Sequence, residues 1–135
     1  MSKYRALTPE QYLASEALLE PLVRTALSKG ASSEYIPTYE AVQESVSQLR
    51  MLPIVWGDME GVMLLELDGD NLVLTVISGY FGPDWVPEAV AMWHSLAKEQ
   101  DKKGIIGGGR KGWLRKLKPF GFRAYGDFYI TEVTQ

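Results

Sequence analysis

The chain has 135 residues, no cysteine and a single histidine, His94. That length fits one domain spanning 1–135, and 46% hydrophobic residues suffice for a core without covalent staples. The lack of cysteine excludes disulfides, thiolate metal sites and a cysteine nucleophile, and one histidine leaves no His-rich metal site. No apolar run approaches the ~18–20 residues that span a bilayer. The start, Met1-Ser2-Lys3-Tyr4-Arg5, carries no signal-peptide pattern. The expectation is a soluble, cytoplasmic protein with no membrane partner and no metal.

Net charge is −3 but unevenly spread. Residues 1–100 hold 6 basic and 14 acidic side chains, and residues 101–135 hold 8 and 3, with every one of those bases between Lys102 and Arg123. Such a basic stretch attracts phosphates or an acidic protein surface, or is a solvated face that balances the acidic part. The negative total argues against tight, nonspecific nucleic-acid binding.

Tyr4–Leu7 reads as an edge strand. Thr8 caps a helix with Pro9 in its first turn. Leu13, Ala17, Leu18, Leu22, Ala26 and Leu27 recur near the helical period, and Pro21 predicts a kink or a junction of two helices near Glu20. Thr38 caps a second helix, Tyr39 to Arg50, with Val42, Val46 and Leu49 as its stripe. Leu52–Trp56, Val62–Leu67 and Leu72–Ile77, separated by Gly-rich and Asp-rich turns, predict an antiparallel meander with both faces covered. Asp68 and Asp70 suggest a calcium loop, but the other ligands are missing and a hairpin turn is the better reading. Val86, Val90, Trp93 and Ala97 mark a third helix, with His94 beside its stripe. Ile105–Ile106 starts a strand, Trp113 and Leu117 mark a short helix, and Gly121–Val133 is the last strand region, with Phe128, Ile130 and Val133 on its buried side.

The order β-α-α-β-β-β-α-β-α-β resembles the GNAT acetyltransferase fold, an α/β domain whose mixed, mostly antiparallel sheet is flanked by helices. Gly112-Trp113-Leu114-Arg115-Lys116-Leu117-Lys118-Pro119-Phe120-Gly121-Phe122 resembles the family's late motif, a short helix running into Gly-Phe. The resemblance implies that the loop after the fourth strand binds the pyrophosphate of acetyl-CoA, through a Gln/Arg-x-x-Gly-x-Gly/Ala pattern at a helix N-terminus. Gly79-Tyr80-Phe81-Gly82-Pro83-Asp84 stands there, and only Gly82 matches. Pro83 has no N–H to donate, and Asp84 reads as the helix cap. The family's general-acid tyrosine corresponds to Leu117, which transfers no proton. Glu66 is the candidate base and Tyr80 the nearest phenol.

These departures imply a catalytically degenerate GNAT-fold protein without cofactor, acting as a protein-binding or assembly module. It resembles small proteins of this kind encoded by tailed bacteriophages, which implies a protein partner: itself, a virion protein or a host protein. The alternative is an acetyl-CoA-dependent N-acetyltransferase with an atypical cofactor loop, its phosphates held by Arg110 and Lys111. A third reading is an inhibitor that binds a host protein through the acidic half. The run Gly107–Gly112 is either an anion cradle, with Arg110, Lys111, Arg115 and Lys118, or a plain turn. Tyr80, Phe81 and Trp85 are either exposed anchors for a partner or a lid over the sheet end.

Overall fold

The computed structural model describes residues 3–29, 37–108 and 111–133, the side chains of Lys111 and Gly112 excepted. The chain runs β1 (Tyr4–Ala6), α1 (Pro9–Ala14), α2 (Glu16–Ser28), α3 (Tyr39–Ser47), β2 (Met51–Trp56), β3 (Gly61–Asp68) and β4 (Asn71–Gly79). It continues through α4 (Val86–Glu99), β5 (Gly104–Gly108), α5 (Lys111–Leu117), a 3-10 turn (Lys118–Phe120), β6 (Arg123–Tyr125) and β7 (Phe128–Glu132).

Thr8 caps α1 as its sequence predicts, and does so reciprocally. Its hydroxyl accepts from the Gln11 N–H at 3.1 Å, and the Gln11 side-chain oxygen accepts from the Thr8 N–H at 2.9 Å. This capping box satisfies two donors that a helix start leaves open. The helix break falls at Ser15, not near Glu20, and Pro21 lies inside α2. Pro21 is exposed, so water reaches the carbonyl that its missing N–H leaves behind. The break also resets the helical phase. Tyr12, Leu19 and Val23 are buried, whereas Leu13 and Leu18, in the predicted stripe, face solvent. Helix α3 keeps its Thr38 cap and buries Val42 and Val46. It stops at Ser47, and Leu49 leaves the stripe by adopting φ 61, the left-handed turn that ends many helices.

The seven strands form one sheet in the order β1-β2-β3-β4-β5-β7-β6. Every neighbouring pair is antiparallel except β4 and β5. The predicted last strand is two strands, folded back at Gly126, which takes φ 63. Each sheet face has its own core. On one, Val55, Val62, Leu64 and Val76 pack with Tyr12, Leu19, Val23, Val42 and Val46 of α1–α3. On the other, Met63, Leu65, Leu72, Leu74 and Ile105 pack with Val90, Trp93 and Ala97 of α4, Leu117 of α5, and Tyr129 of β7. Double coverage explains why β3 reads as an almost unbroken apolar run. Val133 is buried as predicted, but within β7 the alternation is opposite to the one predicted: Tyr129 and Thr131 are buried, while Phe128 is exposed and Ile130 half-buried.

Trp93 anchors the second core. It is fully buried, and its indole N–H donates to the Met63 sulfur at 3.3 Å. Trp93→Ala leaves a large cavity under α4, and urea denaturation is expected to register a loss of about 3–5 kcal/mol. A loss below ~1 kcal/mol would mean that α4 is not held through this side chain.

Candidate functional site

The parallel pair β4–β5 sets the site. Its ladder has four steps, from Asn71↔Gly104 to Leu74↔Gly107. Beyond Leu74, β4 stays registered with β3, as Val76↔Leu64, Ile77↔Met63, Ser78↔Val62 and Gly79↔Gly61, while its register with β5 ends. A β-bulge lies at the same point: Leu64 pairs with Val76 and Leu65 with Leu74, so Thr75 is an extra residue in β4, while β5 runs one residue further, to Gly108. A bulge bends its strand and inverts the facing of the residues beyond it. Leu72 and Leu74 accordingly point to the α4 core, but Val76, which plain alternation would put beside them, points to the α1–α3 core. The sheet therefore forks between β4 and β5.

The far end of β4 runs through the loop 80–85 onto α4. Gly79, Gly82 and Asp84 all take positive φ (98, 88 and 50). A Cβ on Gly82 would sit 2.8 Å from the Trp56 indole, and one on Gly79 would collide with the Glu60 carbonyl. The glycines here serve close packing and a left-handed backbone together. Asp84 does not cap α4. The N-cap is Trp85, and it makes no side-chain capping hydrogen bond. Its own αR backbone puts Asp84 one residue too early for that role. Pro87, in the first turn, has no N–H to offer. A 14-residue helix thus begins beside the end of the β4–β5 ladder with no side-chain cap from its N-cap residue Trp85, and with Glu88 as a carboxylate in its first turn.

The aromatics of the loop divide. Tyr80 is 53% exposed and meets Trp56 edge-on at 5.4 Å, whereas Phe81 is buried and Trp85 half-buried. Phe81 contacts Tyr4 of β1 at 6.2 Å and Trp85 at 5.2 Å, and Trp85 meets Trp113 of α5 at 5.4 Å. The two indoles link the element after β4 to the element after β5, across the fork. Glycines finish the other arm. A Cβ on Gly107 would meet the Tyr129 ring at 2.5 Å, and one on Gly108 the Phe128 ring at 3.1 Å. Rings from β7 therefore flank β5 on both faces. Burial raises the Tyr129 hydroxyl to about 12, so it stays protonated at neutral pH.

The structure gathers Tyr80, Phe81, Gly82 and Trp85 at the fork but leaves Glu66 apart. Glu66 stands opposite Val73, on the paired side of the branch, and alternation puts it on the face away from Met63 and Leu65. Burial raises its pKa, Asp68 adds to this, and Arg50 opposes it. Burial lowers the pKa of His94, with Lys98 contributing, and His94 lies half-buried on α4. Leu117 is fully buried in the α4 core. Arg110 lies outside the described residues, as does the side chain of Lys111. Arg115 and Lys118 are exposed around α5. Among the described residues, no three His, Asp or Glu side chains cluster to hold a metal, and no helix is long and apolar enough to cross a membrane. Sequence reasoning missed the bulge and the Trp85 N-cap. Its one available signal was that Thr75 interrupts an aliphatic run.

No protein-family model matches the sequence, and no curated protein sequence matches it. Solved structures do. Aminoglycoside 6'-acetyltransferase type Ii superposes with a TM-score of 0.71 at 10% identity, covering 98% of this chain and 97% of that one. PaiA N-acetyltransferase from Thermoplasma acidophilum, in complex with coenzyme A, gives 0.65 at 14%, covering 98% and 99%. A GNAT-family acetyltransferase from Listeria monocytogenes gives 0.65 at 13%, covering 96% and 93%. The chain has the GNAT acetyltransferase fold over its whole described length.

Gly82→Ala tests how tightly the loop is built. The new methyl meets both a strained φ and the Trp56 ring, so a thermal melt is expected to fall by an amount equivalent to about 1–3 kcal/mol. An unchanged melting temperature would mean that the loop relaxes freely.

Proposed function

We propose that the chain binds an acyl-coenzyme A at the β4–β5 fork and acts as an N-acetyltransferase. The observation that carries this is the forked parallel pair whose longer arm leads onto a helix N-terminus that its N-cap residue Trp85 does not cap through its side chain. Backbone N–H groups at such a terminus suit a pyrophosphate, and an unpaired strand edge suits the amide groups of a pantetheine arm. The start of α4 at Val86 would hold the phosphates and the Thr75–Gly79 edge of β4 the arm, with Arg110 and Lys111, which follow β5 in the sequence, as further cations. PaiA, of the same fold, is described with coenzyme A.

The bound thioester would supply an activated acyl carbon: an amine nitrogen bonds to it, the carbon–sulfur bond breaks, and the amine loses a proton. Leu117 supplies no acid for the departing sulfur. A thiol with a pKa near ~8.5 leaves as a thiolate without one, so its absence slows the reaction and does not forbid it. Glu66 is displaced from the fork, which leaves solvent or the acceptor's own unprotonated fraction as the base.

A second reading, a non-catalytic module that binds a protein partner, draws on the buried Leu117 and on the Trp85–Trp113 contact across the fork. Its occurrence in a bacteriophage would add a virion or host protein as the natural partner.

Scanning fluorimetry with acetyl-CoA separates the two. At a ligand concentration about 100 times Kd, stabilisation of ~2.7 kcal/mol raises the melting temperature by several degrees. Release of free thiol in the presence of a panel of amines then reports transfer. No shift at millimolar acetyl-CoA would overturn the binding proposal. A shift without thiol release would overturn catalysis and leave binding.

A further inference from the structure

Strand β1 stands at one edge of the sheet, and among the described residues no strand pairs with its outer side. Tyr4 and Ala6 lie opposite Trp56 and Ile54, and Arg5 lies opposite Val55. Ile54 belongs to the α4 core and Val55 to the α1–α3 core. Directly opposed residues share a face, so the Tyr4 and Ala6 side chains lie on the α4 face and that of Arg5 on the other. The main chain alternates in step. The Lys3 carbonyl accepts from the Gly57 N–H at 3.1 Å, and the Leu7 N–H donates to the Pro53 carbonyl at 2.9 Å. Lys3, Arg5 and Leu7 thus turn their main-chain groups toward β2, and Tyr4 and Ala6 turn theirs outward along the edge.

Helix α4 runs beside this edge. Glu88, Met92, Ser95 and Glu99 follow one another by four, three and four residues and form one stripe. With Ala91 and Leu96, the stripe walls a groove of about 400 Å³, whose other wall is Tyr4–Ala6 and whose floor is Ile54. Burial and then the Glu88 carboxylate raise the pKa of the Tyr4 phenol, which sets Glu88 beside Tyr4 at one end of the groove. Glu99 stands about three turns further along α4, roughly 16 Å away at ~1.5 Å per residue. Cations nearby are directed elsewhere. Arg5 sends its side chain to the opposite face, Lys3 lies over the Trp56 ring at 5.1 Å, Arg50 acts on Glu66, and Lys98 stands on the His94 side of α4. The groove is apolar along its middle and carries a carboxylate toward each end.

We propose that this groove binds an extended peptide of the pattern basic-x-apolar-x-basic, added as a strand on β1. A strand edge supplies main-chain pairing, and the pocket beside it reads alternate side chains. An extended chain advances ~3.4 Å per residue, so side chains four positions apart lie about 14 Å apart on one face. Lysine or arginine at those positions reaches Glu88 and Glu99, and the apolar residue between them settles on Met92 and Ile54. An acidic peptide would meet like charge at both ends.

The test pans a yeast-displayed library of random heptapeptides against the full chain, Glu99→Lys and Ala91→Arg, with melting temperature read alongside. Both substituted residues are exposed, and a lysine at position 99 suits a helix C-terminus, so both variants are expected to keep the fold. The wild type is expected to enrich peptides with a basic pair four positions apart around an apolar residue. The best of these, synthesised and labelled, should bind either folded variant about tenfold more weakly or worse, and should slow amide exchange at Ala6 of the wild type. No enrichment, or enrichment without the basic pair, would overturn the proposal. So would a peptide that binds both folded variants as tightly as the wild type, or one that leaves exchange at Ala6 unchanged. A wild type that sediments as a dimer, and as a monomer once Ala91→Arg is made, would assign the groove to a second copy and overturn it too.

Discussion

One extra residue organises the site. Thr75 sits in β4 without a counterpart in β3, and the ladder to β5 ends at the same point. The bulge sends Val76 to one core after Leu72 and Leu74 have gone to the other, so β4 is stitched into both layers. Because both faces are buried, a slip in register would move apolar side chains out of both cores at once. The fork is thus held open by packing on either side of it.

Both arms of the fork obey the same constraint. The β4 arm must turn sharply to reach α4, and it does so through three left-handed residues in six positions. Close packing of Gly82 on Trp56, and of Phe81 between Tyr4 and Trp85, makes this loop part of the core at its inner side and leaves Tyr80 at its outer side. The β5 arm uses glycine differently: Gly107 and Gly108 admit aromatic rings from β7 on opposite faces. Tyr129 thereby closes the α4 core, and Phe128 faces outward. The closed second core and the outward-facing Phe128 are two consequences of one alternation in β7.

Local chemistry is legible where a single residue type carries the information. Thr8 and Thr38 as caps, Pro9 in a first turn, and the Val90–Trp93–Ala97 stripe all stand as their positions predict. Phase is harder. Leu13 and Leu18 read as core only on one continuous helix, and the restart at Ser15 rotates them outward. Phe128 and Ile130 read as buried because they are more apolar than Tyr129 and Thr131, yet Tyr129 and Thr131 face the core, because which set does so is decided by the strand's packing and not by apolarity residue by residue. Asp84 reads as a cap because aspartate favours that role, but its left-handed backbone ends the loop one residue before the helix.

The sequence by itself determined the alternation of helical and strand regions, the sheet class and the lack of cysteine, because composition, turn residues and periodicity act locally along the chain. The tertiary structure decided where β4 breaks from β5, that Trp85 and not Asp84 stands at the N-cap of α4, that Glu66 lies away from the fork, and which side of β7 faces outward. Each of these depends on register between strands that are distant in sequence, and register is set by the simultaneous burial of two sheet faces.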